Sequence, residues 1–249
     1  MSEPIRTTEG LKQFYDDPAI VGSYLARRTA QPLNSVLHER QVAFLSRVVA
    51  DLAPARVLEL APGPGRLTAE VARVPFGVAM DFSPRMLEEA RRAVLDAGRD
   101  TWSFARGDGF RLPFATAAFD LAFSVRFVRR FEPPRREALY AELRRVLAPG
   151  GHLVLDAQNR LVAGPHRAGR DGYRVYDELW LRDELVSELE RAGFRVRHLE
   201  GIMRRFEWQW RLNRLRRLGL AAPARVLIRA LEHGPDRNPS TWMVLCQAG

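Results

Sequence analysis

The chain has a single cysteine, Cys246, and a single lysine, Lys12. One thiol cannot close an intramolecular disulfide or supply a cysteine cluster for zinc. No apolar run is long enough to cross a bilayer. Residues 1–13 are polar and charged and lack the apolar core of a secretory signal, so a cytoplasmic location is expected. The scarcity of lysine also changes the meaning of the charge. A formal net charge of +9 resembles that of a nucleic-acid binder. Nearly all of it is arginine spread along the whole chain, in a sequence rich in Ala, Leu, Gly and Pro, which points to compositional bias rather than a basic binding face. Nucleic acid is disfavoured as a partner on this ground.

Strand and helix patterns alternate from residue 54 onward. Short apolar runs are predicted as strands at Arg56–Leu60, Gly77–Asp81, Trp102–Ala105, Phe119–Ser124, His152–Asp156, Phe194–Leu199 and Thr241–Gln247. Helical periodicity is predicted over Leu67–Val74, from Ser83-Pro84 to Asp96, over Arg135–Leu147 (closed by Pro149-Gly150-Gly151) and over Asp183–Ala192. This order implies a mainly parallel, doubly wound α/β sheet, whose ligands bind at the carboxyl ends of the strands. Residues 1–53 read as an N-terminal helical segment that either packs on the sheet edge or folds over the ligand site. Residues 54–249 read as the ligand-binding domain. Two insertions interrupt it, at 158–178 and, mostly helical, at 201–238, before the last strand.

The stretch Val57 to Thr68, V-L-E-L-A-P-G-P-G-R-L-T, carries an acid inside a strand and then a tight turn of small residues. A helix start after such a turn presents backbone N–H groups, and glycine lets a ligand approach closely. Each later strand end adds a group suited to the same ligand. Asp81 is an acid placed to accept from ribose hydroxyls. Asp108-Gly109 follows the third strand, and Ser124 ends the fourth. A nicotinamide enzyme is the main rival for the turn, but its fingerprint wants a third small residue where Thr68 stands and does not call for Glu59.

Five motifs stand in order over residues 54–156: V-L-E-L-A-P-G-P-G, M-D-F-S-P-R-M-L, G-D-G-F-R-L-P-F, F-D-L-A-F-S and L-R-R-V-L-A-P-G-G-H-L-V-L. In these the chain resembles the class I S-adenosylmethionine-dependent methyltransferases, in particular the small-molecule group that includes the ubiquinone/menaquinone-type enzymes. The resemblance implies a Rossmann-like, seven-stranded sheet and S-adenosyl-L-methionine as cofactor. It implies that Glu59 and the turn Ala61, Pro62, Gly63 and Gly65 hold the methionine end, and that Asp81 binds the ribose with Phe82 against the adenine. Asp108 and Gly109 would contact the adenine, and the main chain near Ser124 the amino end. The family usually has glycine where Ala61 stands, and alanine is expected there only with a negative φ.

The implied chemistry is in-line methyl transfer to a small-molecule acceptor, anionic or lipid-like. The Pro-Pro-aromatic motif of amino-methyltransferases is absent, since that place reads S-V-R-F over Ser124–Phe127. Cys246 lies far from the site, so a cysteine nucleophile is not expected. Arg126 stands near the place of a metal-holding acid, leaving Asp156 and Asn159 without the partner an oxygen-rich metal site needs. No metal is expected. His38, His166 and His233 are read as structural or exposed, and no catalytic base is named. On the acceptor side stand Tyr15, Tyr24, Arg27 and Arg28, then Arg126 with Phe127, followed by Arg129, Arg130 and Phe131. The basic, aromatic stretch Arg204 to Leu218 caps the acceptor pocket, lies on an anionic membrane surface or stacks on RNA. Trp208 and Trp210 share a strand-like parity while the following leucines suit a helix, and the sequence leaves the choice open. Two rival functions remain: a cofactor-binding methyltransferase-like regulatory protein, and an RNA methyltransferase.

Overall fold

The computed structural model describes residues 3–168, 174–234 and 238–249, with the side chains of residues 25–29 outside that description. Three helices come first: α1 (Thr8–Asp16), α2 (Pro18–Thr29) and α3 (Pro32–Leu52). Then follow β1 (Arg56–Leu60), β2 (Phe76–Asp81), α4 (Pro84–Asp96), β3 (Trp102–Arg106), β4 (Phe119–Ser124), α5 (Pro133–Val146) and β5 (Leu147–Asn159). The chain continues with α6 (Arg160–Arg167), β6 (Leu179–Trp180), α7 (Arg182–Arg191), β7 (Phe194–Ile202), α8 (Phe206–Asn213), α9 (Ala221–Ala230) and β8 (Thr241–Ala248).

The sheet runs β3-β2-β1-β4-β5-β8-β7, seven strands along its path, with the two-residue β6 paired to β5 off that path. β1 to β5 are parallel, and β8 runs antiparallel between β5 and β7. β6 was not foreseen, because two residues carry no periodicity. β5 also starts earlier than predicted. Its first residue, Leu147, already pairs with Phe119, and residues 148–151 bulge out before His152 pairs with Leu121.

Alternation along the strands divides the core between the two faces of the sheet. Leu58 and Leu60 face one cluster with Leu139, Leu143, Leu185 and Leu189 of α5 and α7. Val57, Leu121 and Phe123 face the other, with Val36, Phe44, Leu45 and Val48 of α3 and Ile228 of α9. Glu59 shares the parity of Val57, so it projects toward the α3 side at the carboxyl end of β1.

The helix predicted over Leu67–Val74 is not a regular helix. Residues 63–70 form successive turns, with Ala69 N bonded to Gly65 O, and Glu70 N and Val71 N both bonded to Leu67 O. Gly65 in the left-handed region (φ 74°) and Pro75 leave room for only about two turns between them. Of the two N-terminal alternatives, folding over the ligand site describes α1 and α2, and packing on the sheet edge does not describe α3. α3 packs on a sheet face, while α1 and α2 send side chains over the strand ends.

Candidate active site

A cleft opens at the carboxyl ends of β1 to β4. Its floor comes from the first strand and its turn. Glu59 is buried, with 3% of its surface exposed. Thr68 Oγ1 donates to Glu59 Oε2. Burial pushes the Glu59 pKa up to about 7, although the Thr68 hydrogen bond and nearby Arg66 pull the other way. The turn after Glu59 has positive φ at Ala61 (59°), Gly63 (57°) and Gly65 (74°). The expectation of a negative φ at Ala61 is therefore wrong. Its N–H donates to Met80 O at 2.8 Å, which ties the turn to β2 and fixes the left-handed conformation despite the Cβ.

The three small residues have different surroundings. A Cβ at Gly63 would meet nothing within 4 Å, and Gly63 lines the cleft. A Cβ at Gly65 would lie 2.7 Å from Ala90 Cα. Gly65 thus serves close packing of the turn against α4 and is not part of the cleft lining, contrary to its predicted place in the ligand cradle.

Asp81, at the end of β2, bridges two backbones. Its Oδ2 accepts from Gly63 N and its Oδ1 from Ser83 N, both at 3.0 Å. Desolvation raises its pKa against those hydrogen bonds. Ser83 caps α4, its Oγ accepting from Met86 N at 3.2 Å, so the Ser-Pro start reads correctly from sequence. Asp108 follows β3. Its Oδ1 accepts from Phe110 N at 2.9 Å, and its Oδ2 pairs with Lys12 Nζ at 2.9 Å. Burial works against ionisation there, but the Phe110 N–H and the Lys12 ammonium outweigh it and hold the Asp108 pKa below the usual carboxylate value. Lys12 also stands 5.2 Å from the centre of the Phe82 ring.

Glu59, Ala61, Pro62, Gly63, Asp81, Phe82, Asp108 and Gly109 line this one cleft, as do Tyr15, Tyr24, Arg126 and Phe127. Ser124 does not line it. Its buried hydroxyl donates to Leu60 O at 2.9 Å and locks β4 to β1. Arg27 and Arg28 fall among the side chains outside the described residues. The cleft has further walls that sequence reasoning missed: Lys12, Arg66 and Phe110. Lys12, the chain's sole lysine, was a signal available beforehand. Arg66 followed the glycine turn directly and was passed over.

The aromatic wall is interlocked, Phe131 standing 4.9 Å edge-to-face from both Phe110 and Phe127. Beside it Arg126 takes a positive φ of 68°, and its backbone N–H donates to Asp156 Oδ1. Arg129 and Arg130 are buried on Asp177, at 3.2 and 2.9 Å. Asn159 caps α6 through Leu161 N at 3.0 Å and donates to Pro239 O at 2.9 Å. None of the three histidines considered lines the cleft. His38 bonds Glu70 at 2.8 Å and Arg66, and His166 bonds Glu207 at 2.6 Å.

This strand order, with the cleft at the parallel strand ends, is the fold of the class I S-adenosylmethionine-dependent methyltransferases. Magnesium protoporphyrin IX methyltransferase (ChlM) from Synechocystis PCC 6803, solved with bound S-adenosylhomocysteine, superposes with a TM-score of 0.66 at 14% identity over 98% of this chain and 100% of its own. The 4+2 cyclase SpnF superposes with a TM-score of 0.68 at 17% identity, over 99% and 97% of the two chains. Residues 57–151 match the methyltransferase domain family. A demethylmenaquinone methyltransferase from Thermus thermophilus is 41% identical over 129 residues, covering 50% of this chain and 55% of its own. Residues 57–151 thus match a methyltransferase domain, carried on the fold of the class I S-adenosylmethionine-dependent enzymes. The chain spans about half the length of the curated relatives it matches. Among the described residues, no helix is long and apolar enough to cross a membrane.

Proposed function

We propose that the chain binds S-adenosylmethionine in this cleft and transfers its methyl group to a small-molecule acceptor. The observation that carries the reading is the convergence of Glu59, Asp81 and Asp108, from the ends of three neighbouring strands, on one cleft. The buried Glu59 carboxyl suits the ammonium of the methionine end, whose charge would favour the ionised acid against the burial that disfavours it. Asp81 retains lone pairs for ribose hydroxyls, and Asp108-Gly109 suits the adenine. The open space at Gly63 fits a ligand lying against the turn. When bound, the cofactor supplies a methyl group activated by a positively charged sulfur.

The protein's task is then alignment, which by itself accounts for up to about 7–11 kcal/mol of barrier reduction in well-oriented reactions. The reading needs no covalent intermediate and no metal. Tyr15, Phe110, Phe127 and Phe131 give the acceptor an apolar, aromatic wall, and Arg126 adds a cationic edge. That lining favours an acceptor with an apolar body and an anionic or lipid-like character. Calorimetry with S-adenosylhomocysteine tests the binding claim, and absence of uptake removes it. Release of S-adenosylhomocysteine from S-adenosylmethionine in the presence of an acceptor pool tests turnover. Binding without turnover would favour a cofactor-holding protein of other function, a reading made concrete by the shared fold of a cyclase.

A further inference from the structure

α9 turns its apolar side outward. Ala224 and Ile228 point into the core and are fully buried. Arg225 and Arg229 both reach Glu39 of α3, Arg229 at 2.7 Å. At about 100° per residue the arc opposite the core holds Ala222, Val226 and Ala230, with Leu227 at its flank. That arc faces solvent: Val226 is 65% exposed and Leu227 47%. The 3-10 turn before it, Arg214–Leu218, extends the surface with Leu218, 73% exposed, and then Leu220. Isolated exposed leucines are ordinary, but an apolar helix arc with two further exposed leucines leading into it marks an interaction surface.

Charge identifies the cover. Between Glu207 and Glu232 the sequence has six arginines and no acid. Arg216 and Arg217 are exposed beside Leu218, and no ion pair reaches either among the described residues. An exposed apolar arc rimmed by uncompensated arginines complements a surface that offers hydrocarbon beneath anionic head groups.

The surface also lies at the cleft end of the sheet. Asn213 Oδ1 accepts from Leu33 N at 3.1 Å at the start of α3, and His38, one turn further along α3, bonds Arg66 of the cleft wall.

We propose that Leu218, Leu220, Val226 and Leu227, with Arg216 and Arg217, dock the protein onto an anionic lipid bilayer. The acceptor's chemistry does not enter this proposal. The test is flotation of the full chain with vesicles of phosphatidylcholine, with and without phosphatidylglycerol. The parent should float only with the anionic vesicles and detach as salt rises. Each arginine near an anionic surface contributes roughly fivefold in partitioning, so Arg216→Ala with Arg217→Ala should cut binding roughly 25-fold. Leu218→Asp with Val226→Asp should abolish it. All four side chains are exposed, so the variants should keep the parent's melting midpoint, and the salt titration of the parent stands without them. No flotation of the parent, or equal flotation of parent and variants, overturns the proposal. So does a concentration-dependent dimer that Val226→Asp dissolves in the absence of vesicle binding, since the patch would then cover a second copy of the chain.

Discussion

Lys12 Nζ lies 2.9 Å from Asp108 Oδ2 and joins the first helix to the end of β3 across the cleft. Both side chains are partly exposed, so such a pair contributes at most about 1 kcal/mol. That is enough to bias α1 between closed and open positions without fixing it. Lys12 is also the only lysine in the chain. Lysyl endopeptidase therefore has one site, in the middle of α1, and can cut only when that helix opens. Asp108→Ala should speed the cut by about 2–5-fold, the factor that corresponds to the pair. S-adenosylhomocysteine should slow it in the parent. An unchanged rate in Asp108→Ala would show that the pair does not hold α1.

Asp81 joins the glycine turn to the start of α4 by accepting from Gly63 N and Ser83 N. Asp81→Ala leaves both N–H groups without that acceptor, at a cost of about 1–3 kcal/mol in stability. Cofactor affinity should fall at least tenfold besides. Asp81→Asn keeps one acceptor oxygen and should lose less stability while still losing affinity. Chemical denaturation and calorimetry on the two variants separate these effects. Parent-like affinity in Asp81→Ala would remove Asp81 from the cofactor site.

Much of this arrangement was legible in the sequence. β1 and β4 have the predicted bounds, and a doubly wound sheet brings its strand ends to one edge, so acids at three of those ends were certain to be neighbours. What was not legible depended on contacts between distant residues. Lys12 and Asp108 are 96 positions apart, and no local pattern pairs them. Gly65 carries the same sequence signal as Gly63, yet one packs on Ala90 and the other lines the cleft. The chain just after Ser124 reaches the cleft at Val125 and Arg126, while the Ser124 hydroxyl bonds Leu60 O, a pairing that no local pattern shows. The helical pattern after the turn predicts a helix over Leu67–Val74, and the chain forms successive turns there instead. Its failure to become a helix follows from the bounds set by Gly65 and Pro75.

Glu59 should make stability depend on pH. Burial raises its folded-state pKa from 4.5 to about 7. The folded state then holds the proton more tightly than the unfolded chain. Its contribution is fully present below pH 4.5 and is lost as pH rises through about 7. Glu59→Gln stays neutral, can still accept from Thr68, and should show no such decline, so it should be the more stable protein at pH 8. Cofactor binding should work in the opposite sense. The ammonium of S-adenosylhomocysteine favours the ionised acid, so binding below about pH 7 should release a proton and strengthen as pH rises. Calorimetry in two buffers of different ionisation enthalpy measures that proton, and a value of zero would separate Glu59 from the ammonium.

Ala61 holds φ at 59°, a region in which an L-residue with a Cβ costs about 1–2 kcal/mol. Ala61→Gly removes that cost, and the greater freedom of glycine in the unfolded chain offsets part of the gain. The expected outcome is a net stabilisation of up to about 1 kcal/mol, roughly 2–4 °C in melting midpoint for a chain of this size. Gly65→Ala should do the reverse. It puts a Cβ at 2.7 Å from Ala90 Cα and forces alanine to φ 74°, and because the obstacle is backbone, α4 itself must shift. Differential scanning calorimetry on the pair checks both signs. If Ala61→Gly lowers the midpoint, the Met80 carbonyl bond does not hold residue 61 in the left-handed region, and the turn has a different shape in solution. If both substitutions behave as expected, the strain belongs to the position where ligand-facing backbone is needed, and the packing requirement belongs to Gly65.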